Sequence, residues 1–505
     1  MIVPWLTLVI AIPLFGAVVA LPLRGVHNRR VGLVTSGLTL ALAIAAVVLS
    51  RFYDLSEQVL WLRSVGAWYA LNIDGLSGSL LLVITALVVA VLLIRSGLEP
   101  TATATATATE RINVRPEIFT VLVLCTEACI SAALLAADLV LFCIAFEMAL
   151  LPCYALVGCW GGAKRTLAAA RFLAFTLTSG FLLLAGVIGM LTAASATGRP
   201  STLLSALGTV AIPEGMGRLL FVLFFLAFAI KGPLVPFHSW LPLLAREAHP
   251  LVTTVIVAVV DVLGGYGMIR FAVGLFPAAA AWAAPAVLVL ALISIWYAGI
   301  AAAGSRHLLQ FGVYTSISHT GFIMFGIFAL TPETLTGAAM YLSAHAVSVA
   351  ALLLVGTVIW VTTGTAHIGE FAGLGRRLPV LAGLFLISGL ATLALPGFLN
   401  FAAELQVLVG AWEHHRVLTL LAIGGTLLGA VYVTLAYQRL FTGQPSPDAP
   451  PLKDASLLQR GAIGVLLAAT LLFGCAPELL REYVAEADLG TAAIAAADAA
   501  DAGGK

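Results

Sequence analysis

Apolar runs of membrane-spanning length recur along the chain from Trp5 to Cys475, and nothing constrains the fold more. A bilayer core takes roughly 20 apolar residues per helix, and counting on that basis gives about fourteen spans. Hydrocarbon offers no water to backbone N–H and C=O groups, so each segment must satisfy them internally. An all-α integral membrane bundle follows. Charged residues make up 10% of the 505, whereas a soluble domain uses about 25% to cover its surface. Spans are expected near 4–22, 31–50, 75–95, 117–134, 139–157, 168–194, 218–243, 251–273, 281–303, 309–330, 335–362, 379–412, 417–438 and 460–476. The first run, Met1 to Leu23, lacks a basic start and a small-residue cleavage site, so it is expected to remain as a span.

Loops between the spans are mostly short, which makes successive spans antiparallel neighbours. Basic residues gather roughly two to one in the first loop (Arg24, Arg29, Arg30) and every second loop after it. That bias puts the first loop in the cytoplasm and both termini on the other side. Thr101 to Thr109 alternates Thr and Ala too uniformly to specify packing and reads as a mobile loop. The last thirty or so residues, rich in Ala and Asp, read as a polar tail or a surface helix.

Several familiar chemistries are excluded. There is no phosphate-binding loop, no dinucleotide glycine fingerprint and no cysteine framework for an iron–sulfur cluster. Cys125 and Cys129 lie one helical turn apart, but in apolar surroundings they read as small buried hydrophobes. A net charge of +1 gives nothing for nucleic acid.

Two spans contain helix breakers. One reads Lys231-Gly232-Pro233, with Pro236 and Pro242 following; the other holds Pro396 and Gly397. Irregular backbone at membrane depth is tolerated only inside protein or beside a water-filled cavity. Paired broken helices point to an inverted-repeat transporter. Each break lies beside an ionisable residue, Lys231 before the first and Glu404 after the second. The interval from Glu147 to Lys231 nearly equals that from His319 to Glu404.

These residues carry the candidate chemistry. Glu147 lies mid-span, where a carboxylate costs a few kcal/mol unless paired or protonated. Facing Lys231, it would hold the pair charged, and separation would let the lysine release its proton. A static ion pair that only fixes helix packing is the alternative. Glu404 obeys the same logic without a cationic neighbour in sequence. His319 and His345, flanked by serines, can both accept and donate protons; the alternative is plain hydrogen bonding between helices. Metal binding by the two is disfavoured, since no third ligand sits at suitable spacing. Asp261 and Glu127 also need partners. Arg171 is a candidate partner for Glu127, and His238 either lines a cavity at the first break or caps it.

The stretches Phe146-Glu147 with Leu151-Pro152, Phe228 to Pro242, Tyr314 to Gly321, and Leu395 to Glu404 occur in this order. In this pattern the chain resembles the antiporter-like subunits of respiratory complex I, shared with multisubunit cation/proton antiporters and membrane-bound hydrogenases. The resemblance runs from Ile73-Asp74-Gly75 to Arg439. It implies about fourteen helices with two inverted five-helix repeats, each containing a broken helix. The division would be 1–116 for N-terminal helices, 117–275 and 276–440 for the repeats, and 441–505 for a last helix and tail. Carried over by position, Glu147 and Lys231 are the paired charges, His319 and His345 the central relay, and Glu404 the exit residue. A glutamate at 404 resembles the M type of NADH-quinone oxidoreductase subunit.

Two departures stand out. The family's eighth-helix lysine falls on Val262, beside Asp261 and ahead of Gly264-Gly265-Tyr266-Gly267. Its Asp-x-Lys-Arg stretch falls on His307-Leu308-Leu309-Gln310. The resemblance implies a proton-translocating membrane-arm subunit in a bacterial-type inner or plasma membrane. No cofactor is expected in this chain; NADH, FMN, iron–sulfur clusters and quinone would belong to partner subunits. Two alternatives are an antiporter subunit without redox partners and a non-pumping scaffold.

Overall fold

Proline placement and apolar length decide where the helices start and stop. The computed structural model describes residues 3–98, 115–196, 201–371, 373–445, 451–487 and 489. The Thr-Ala alternation at 101–109 and the Ala- and Asp-rich stretch from 490 onward lie outside the described residues. In chain order the elements are α1 (Trp5–Ala20), α2 (Gly25–Ser50), β1 (Glu57–Leu62), β2 (Ala67–Leu71), α3 (Gly75–Gly97) and α4 (Ile118–Leu135). Next come α5 (Leu139–Met148), α6 (Leu150–Cys159), α7 (Arg165–Ser195), α8 (Glu214–Lys231), α9 (Trp240–Glu247) and α10 (Pro250–Val273). The remainder are α11 (Pro277–Gly304), α12 (Leu308–Phe328), α13 (Pro332–Thr363), α14 (Pro379–Thr392), α15 (Leu399–Trp412), α16 (Arg416–Phe441), α17 (Leu457–Cys475) and α18 (Glu478–Ala485).

Four of these helices, α10, α11, α13 and α14, begin on a proline. A first-turn proline loses only an N–H that has no intrahelical partner anyway, and its φ is already helical. Asp74 and Ser77 close a reciprocal capping box at α3, as Thr331 and Thr334 do at α13. Among the described residues, 11 helices are long and apolar enough to cross a membrane, with α1 and α14 as shorter apolar helices.

The core is helical and central. Helices α10, α12 and α13 are almost wholly buried, whereas α2, α16 and α17 turn most of their surface outward. Helix α13 is the hub, packed on α3, α10, α12, α14, α15 and α17. Large apolar side chains such as Phe15, Phe181, Leu219, Val417 and Val465 face outward, as a lipid or partner-helix surface requires.

One element lies outside the sequence expectation. β1 and β2 form an antiparallel hairpin in the loop before α3. Glu57 anchors it by accepting from the N–H groups of Leu6 and Thr7, at 2.8 and 3.2 Å, at the start of α1. Asp138 does likewise from the α5 side. It accepts from Trp68 N at 3.0 Å, and from Val140 N and Leu141 N at 2.9 and 3.0 Å. Carboxylates at helix N-termini satisfy orphan donors and the helix dipole together. Ahead of the Ala- and Asp-rich end, α18 is a short helix that buries Leu480 and Val484.

Candidate functional site

Two helix breaks place the first candidate residues. Between α5 and α6, Pro152 withholds the N–H that Met148 O would accept and crowds that carbonyl, so the helix is interrupted at Ala149. Glu147 sits just before this break, half-buried. Its carboxylate lies against Gly180 of α7, where a single added methyl would overlap it.

Helix α8 stops at Lys231 because Pro233 and Pro236 cannot continue it. The freed backbone finds side-chain partners. Trp240 Nε1 donates to Ile230 O at 3.2 Å, and Val235 N donates to Ser294 Oγ at 3.0 Å. Lys231 is 3% exposed, at the C-terminal end of its helix, where a cation suits the dipole. Its ammonium rests over the Phe146 ring, 4.5 Å from the centroid. Glu147 and Asp261 are the carboxylates that act on it electrostatically, and neither makes a contact ion pair with it among the described residues. His238, in the broken segment, packs edge-on to Tyr297 with centroids 5.0 Å apart, and its Nδ1 is buried with no hydrogen-bond partner among the described residues.

Asp261 lies in α10 directly after a π-helical turn, Ile256–Val260, which its own N–H closes by donating to Ile256 O at 3.1 Å. Both carboxyl oxygens are buried and meet no hydrogen-bond donor among the described residues. Glu127, in α4, is in the same condition and fully buried. The expected Glu127–Arg171 pairing is not made. Arg171 is exposed on the first turns of α7, while Glu127 is enclosed in the core, and a guanidinium cannot span that difference.

The second cluster is joined by direct contacts. His319 of α12 and His345 of α13 face each other with Nδ1···Nδ1 at 3.2 Å. Ser316 Oγ lies 3.4 Å from His345 Nε2. The His319 ring packs on Tyr341, with centroids 5.6 Å apart. The Tyr341 hydroxyl donates to Glu404 Oε2 at 3.1 Å, and Thr426 Oγ1 donates to Glu404 Oε1. On α15, one turn from Glu404, Asn400 Nδ2 donates to Ser348 Oγ at 3.1 Å. His345, His319, Tyr341 and Glu404 therefore form one run of titratable or hydroxyl groups across the bundle interior.

Small cavities flank this run. One of about 10 Å³ is lined by His319, Tyr341, Glu404 and Thr426 among others. A second of about 10 Å³ is lined by Gly232, Asp261, Thr320 and His345. Each is at the scale of a single water, with polar groups to hold it. Among the described residues no set of three or more His, Cys, Asp and Glu is placed to hold a metal.

A separate polar cavity of about 470 Å³ opens near the hairpin, lined by Asp54, Asn72, Asp74, Tyr266 and Arg270 among others. Asp74 and Arg270 form an ion pair there, both largely buried. Burial alone would raise the Asp74 carboxyl; the Arg270 guanidinium and the donors of Ser77 outweigh it and hold it below its ordinary value.

The family described as "NADH:quinone oxidoreductase/Mrp antiporter, TM" matches residues 136–429, more than half of the chain. The chain belongs to this family. That stretch contains Glu147, Lys231, Asp261, both histidines and Glu404. The NADH-quinone oxidoreductase subunit M of Mycobacterium tuberculosis (strain ATCC 25618 / H37Rv) is 32% identical over 95% of this chain and 93% of its own length. A chain of the respiratory complex I of Thermus thermophilus, solved with bound NADH, superposes with a TM-score of 0.86 at 30% identity, over 96% of this chain and 98% of its own. A chain of the Mrp complex from Dietzia sp. DQ12-45-1b shares the fold, with a TM-score of 0.82 at 23% identity over 97% of each chain.

Sequence reasoning missed several family-site neighbours. Tyr341 was within reach, one helical turn before His345 on the same face. Thr426 and Gly180 carry no local mark, because each meets its carboxylate only after distant helices pack.

Proposed function

We propose that this chain is a proton-translocating membrane-arm subunit of an NADH-quinone oxidoreductase, passing protons along Glu147, Lys231, His345, His319 and Glu404. The observation that carries this reading is the state of Lys231. It is a buried lysine at a broken helix end, its Nζ over the Phe146 ring and in no contact ion pair among the described residues. Moving Glu147 toward or away from it would shift its hold on a proton, the switch that coupling needs. The histidine pair, Tyr341 and Glu404 supply acceptors beyond it.

The redox cofactors would lie in partner subunits, as would the quinone site. Other membrane-arm subunits of the same assembly would cover the apolar flanks. The fold reads as about fourteen crossings, counting each broken pair α5–α6, α8–α9 and α14–α15 as one. The two inverted five-helix repeats would occupy 117–275 and 276–440, between N-terminal helices at 1–116 and a final helix and tail at 441–505. Both termini would face away from the cytoplasm of a bacterial-type membrane.

A second reading, a non-pumping scaffold, is favoured by Val262 at the family's lysine position. Glu147→Gln or Lys231→Met in the assembled complex separates the two. A pump loses proton translocation while electron transfer to artificial acceptors continues. A scaffold is indifferent to both substitutions, and normal pumping by both variants would refute the relay.

A further inference from the structure

We infer that Asp261 is the central proton-relay residue of this chain, linking the Lys231 end to the histidine pair across the gap that Val262 leaves. This rests on the proposed reading of the chain as a proton translocator, and adds a relay residue to it.

The first observation is the carboxyl group itself. Asp261 is 5% exposed, and both oxygens are buried without a donor among the described residues. An aspartate kept for packing would bring its hydrogen-bond partners with it, since an unsatisfied buried carboxyl is costly. The second is position. Gly232, directly after Lys231, meets Gly264 of α10 backbone to backbone, and a side-chain carbon at Gly264 would overlap the main chain of Gly232. That close approach seats the end of α8 on the turn carrying Asp261. The third is the cavity, which places Gly232, Asp261, Thr320 and His345 around a space of about 10 Å³. Polar side chains from α10, α12 and α13 converge there, with the backbone of Gly232 at its edge. The wide π turn leading into Asp261 is of the kind that recurs at functional sites.

Proton bookkeeping closes with these groups alone. The Lys231 ammonium gives one proton to the Asp261 carboxylate, leaving a neutral amine and a carboxylic acid. The acid passes that proton through a water in the cavity to the His345 ring, and His345 hands one on to His319 across their 3.2 Å contact. The amine regains a proton from the Glu147 side. No electrons move. A lysine at 262 would place a second cation beside Lys231; Asp261 places an anion there instead, so the same span is bridged with the opposite charge.

The test uses the whole complex in inverted membrane vesicles, with proton uptake measured per electron transferred from NADH. Asp261→Asn is expected to assemble normally and lose about tenfold or more of its pumping. Asp261→Glu should retain pumping, and adding Val262→Lys to Asp261→Asn should recover a part of it. If Asp261→Asn pumps like wild type while Glu147→Gln does not, this inference is overturned and the relay reading stands. If Glu147→Gln also pumps normally, the relay reading falls and takes this inference with it. Should Asp261→Asn fail to assemble, the NADH-induced infrared difference spectrum of the Asp261→Glu complex decides. A shifted carboxylic-acid C=O band supports a titrating residue, and a spectrum identical to wild type contradicts it.

Discussion

At the scale of single residues, Glu404 is the best-defended member of the run. Two hydroxyl donors, Tyr341 and Thr426, hold one oxygen each, so its carboxyl has a fixed direction toward the His319 cavity. A typical hydrogen bond contributes about 0.5–1.5 kcal/mol net. Tyr341→Phe removes one such bond while leaving the ring that packs on His319. Pumping in that variant should fall several-fold with electron transfer to artificial acceptors intact; an unchanged proton-to-electron ratio would show that Tyr341 merely packs. Gly180→Ala offers a complementary check. The added methyl occupies the space of the Glu147 carboxylate and must push it aside. Pumping should drop while the complex still assembles, and a wild-type ratio would mean that the position of Glu147 is not critical.

At the scale of elements, the ends of α3 and α10 are fastened by Asp74 and Arg270, which also wall the 470 Å³ cavity. Breaking a buried pair by removing one partner leaves the other charge uncompensated and costs about 3–5 kcal/mol. Asp74→Asn should therefore lower the thermal unfolding temperature of the purified complex at neutral pH. The sign of the pH effect follows from the direction of the shift. The folded-state carboxyl is held below its ordinary value of about 3.9, so its contribution is complete above that pH and is lost as pH falls through the depressed folded value. Wild type and Asp74→Asn should converge in stability under strong acid and diverge above it; a constant difference would contradict the pairing. Two of the breaks were legible in advance, because Pro233, Pro236 and Pro396 act locally through a missing N–H; the span expected at 139–157 is also interrupted, at Ala149, which was not foreseen. The β1–β2 hairpin was not. Its strands are short, and carboxylates on α5 and in the hairpin itself hold it, contacts that no local pattern encodes. Glu127 of the fourth expected span and Arg171 at the start of the sixth were candidate partners, yet α4 turns Glu127 inward while α7 turns Arg171 outward.

At the scale of the molecule, membrane class and the order of the buried ionisable residues were readable because hydrocarbon penalises every charge that lacks a purpose or a partner. What brings those residues together was not. The His319–His345 contact and the Tyr341–Glu404 bond join helices α12, α13 and α15, and only their packing around α13 creates them. The breaks beside Lys231 and before Glu404 then set one charged end at each side of that hub. In the proposed relay Lys231 joins the Glu147 side to the interior run, so its removal should interrupt the path without touching any redox group. The decisive measurement is the number of protons moved per electron by the intact complex carrying Lys231→Met. Loss of translocation with electron transfer to artificial acceptors preserved is expected. Wild-type translocation in that variant would contradict the relay.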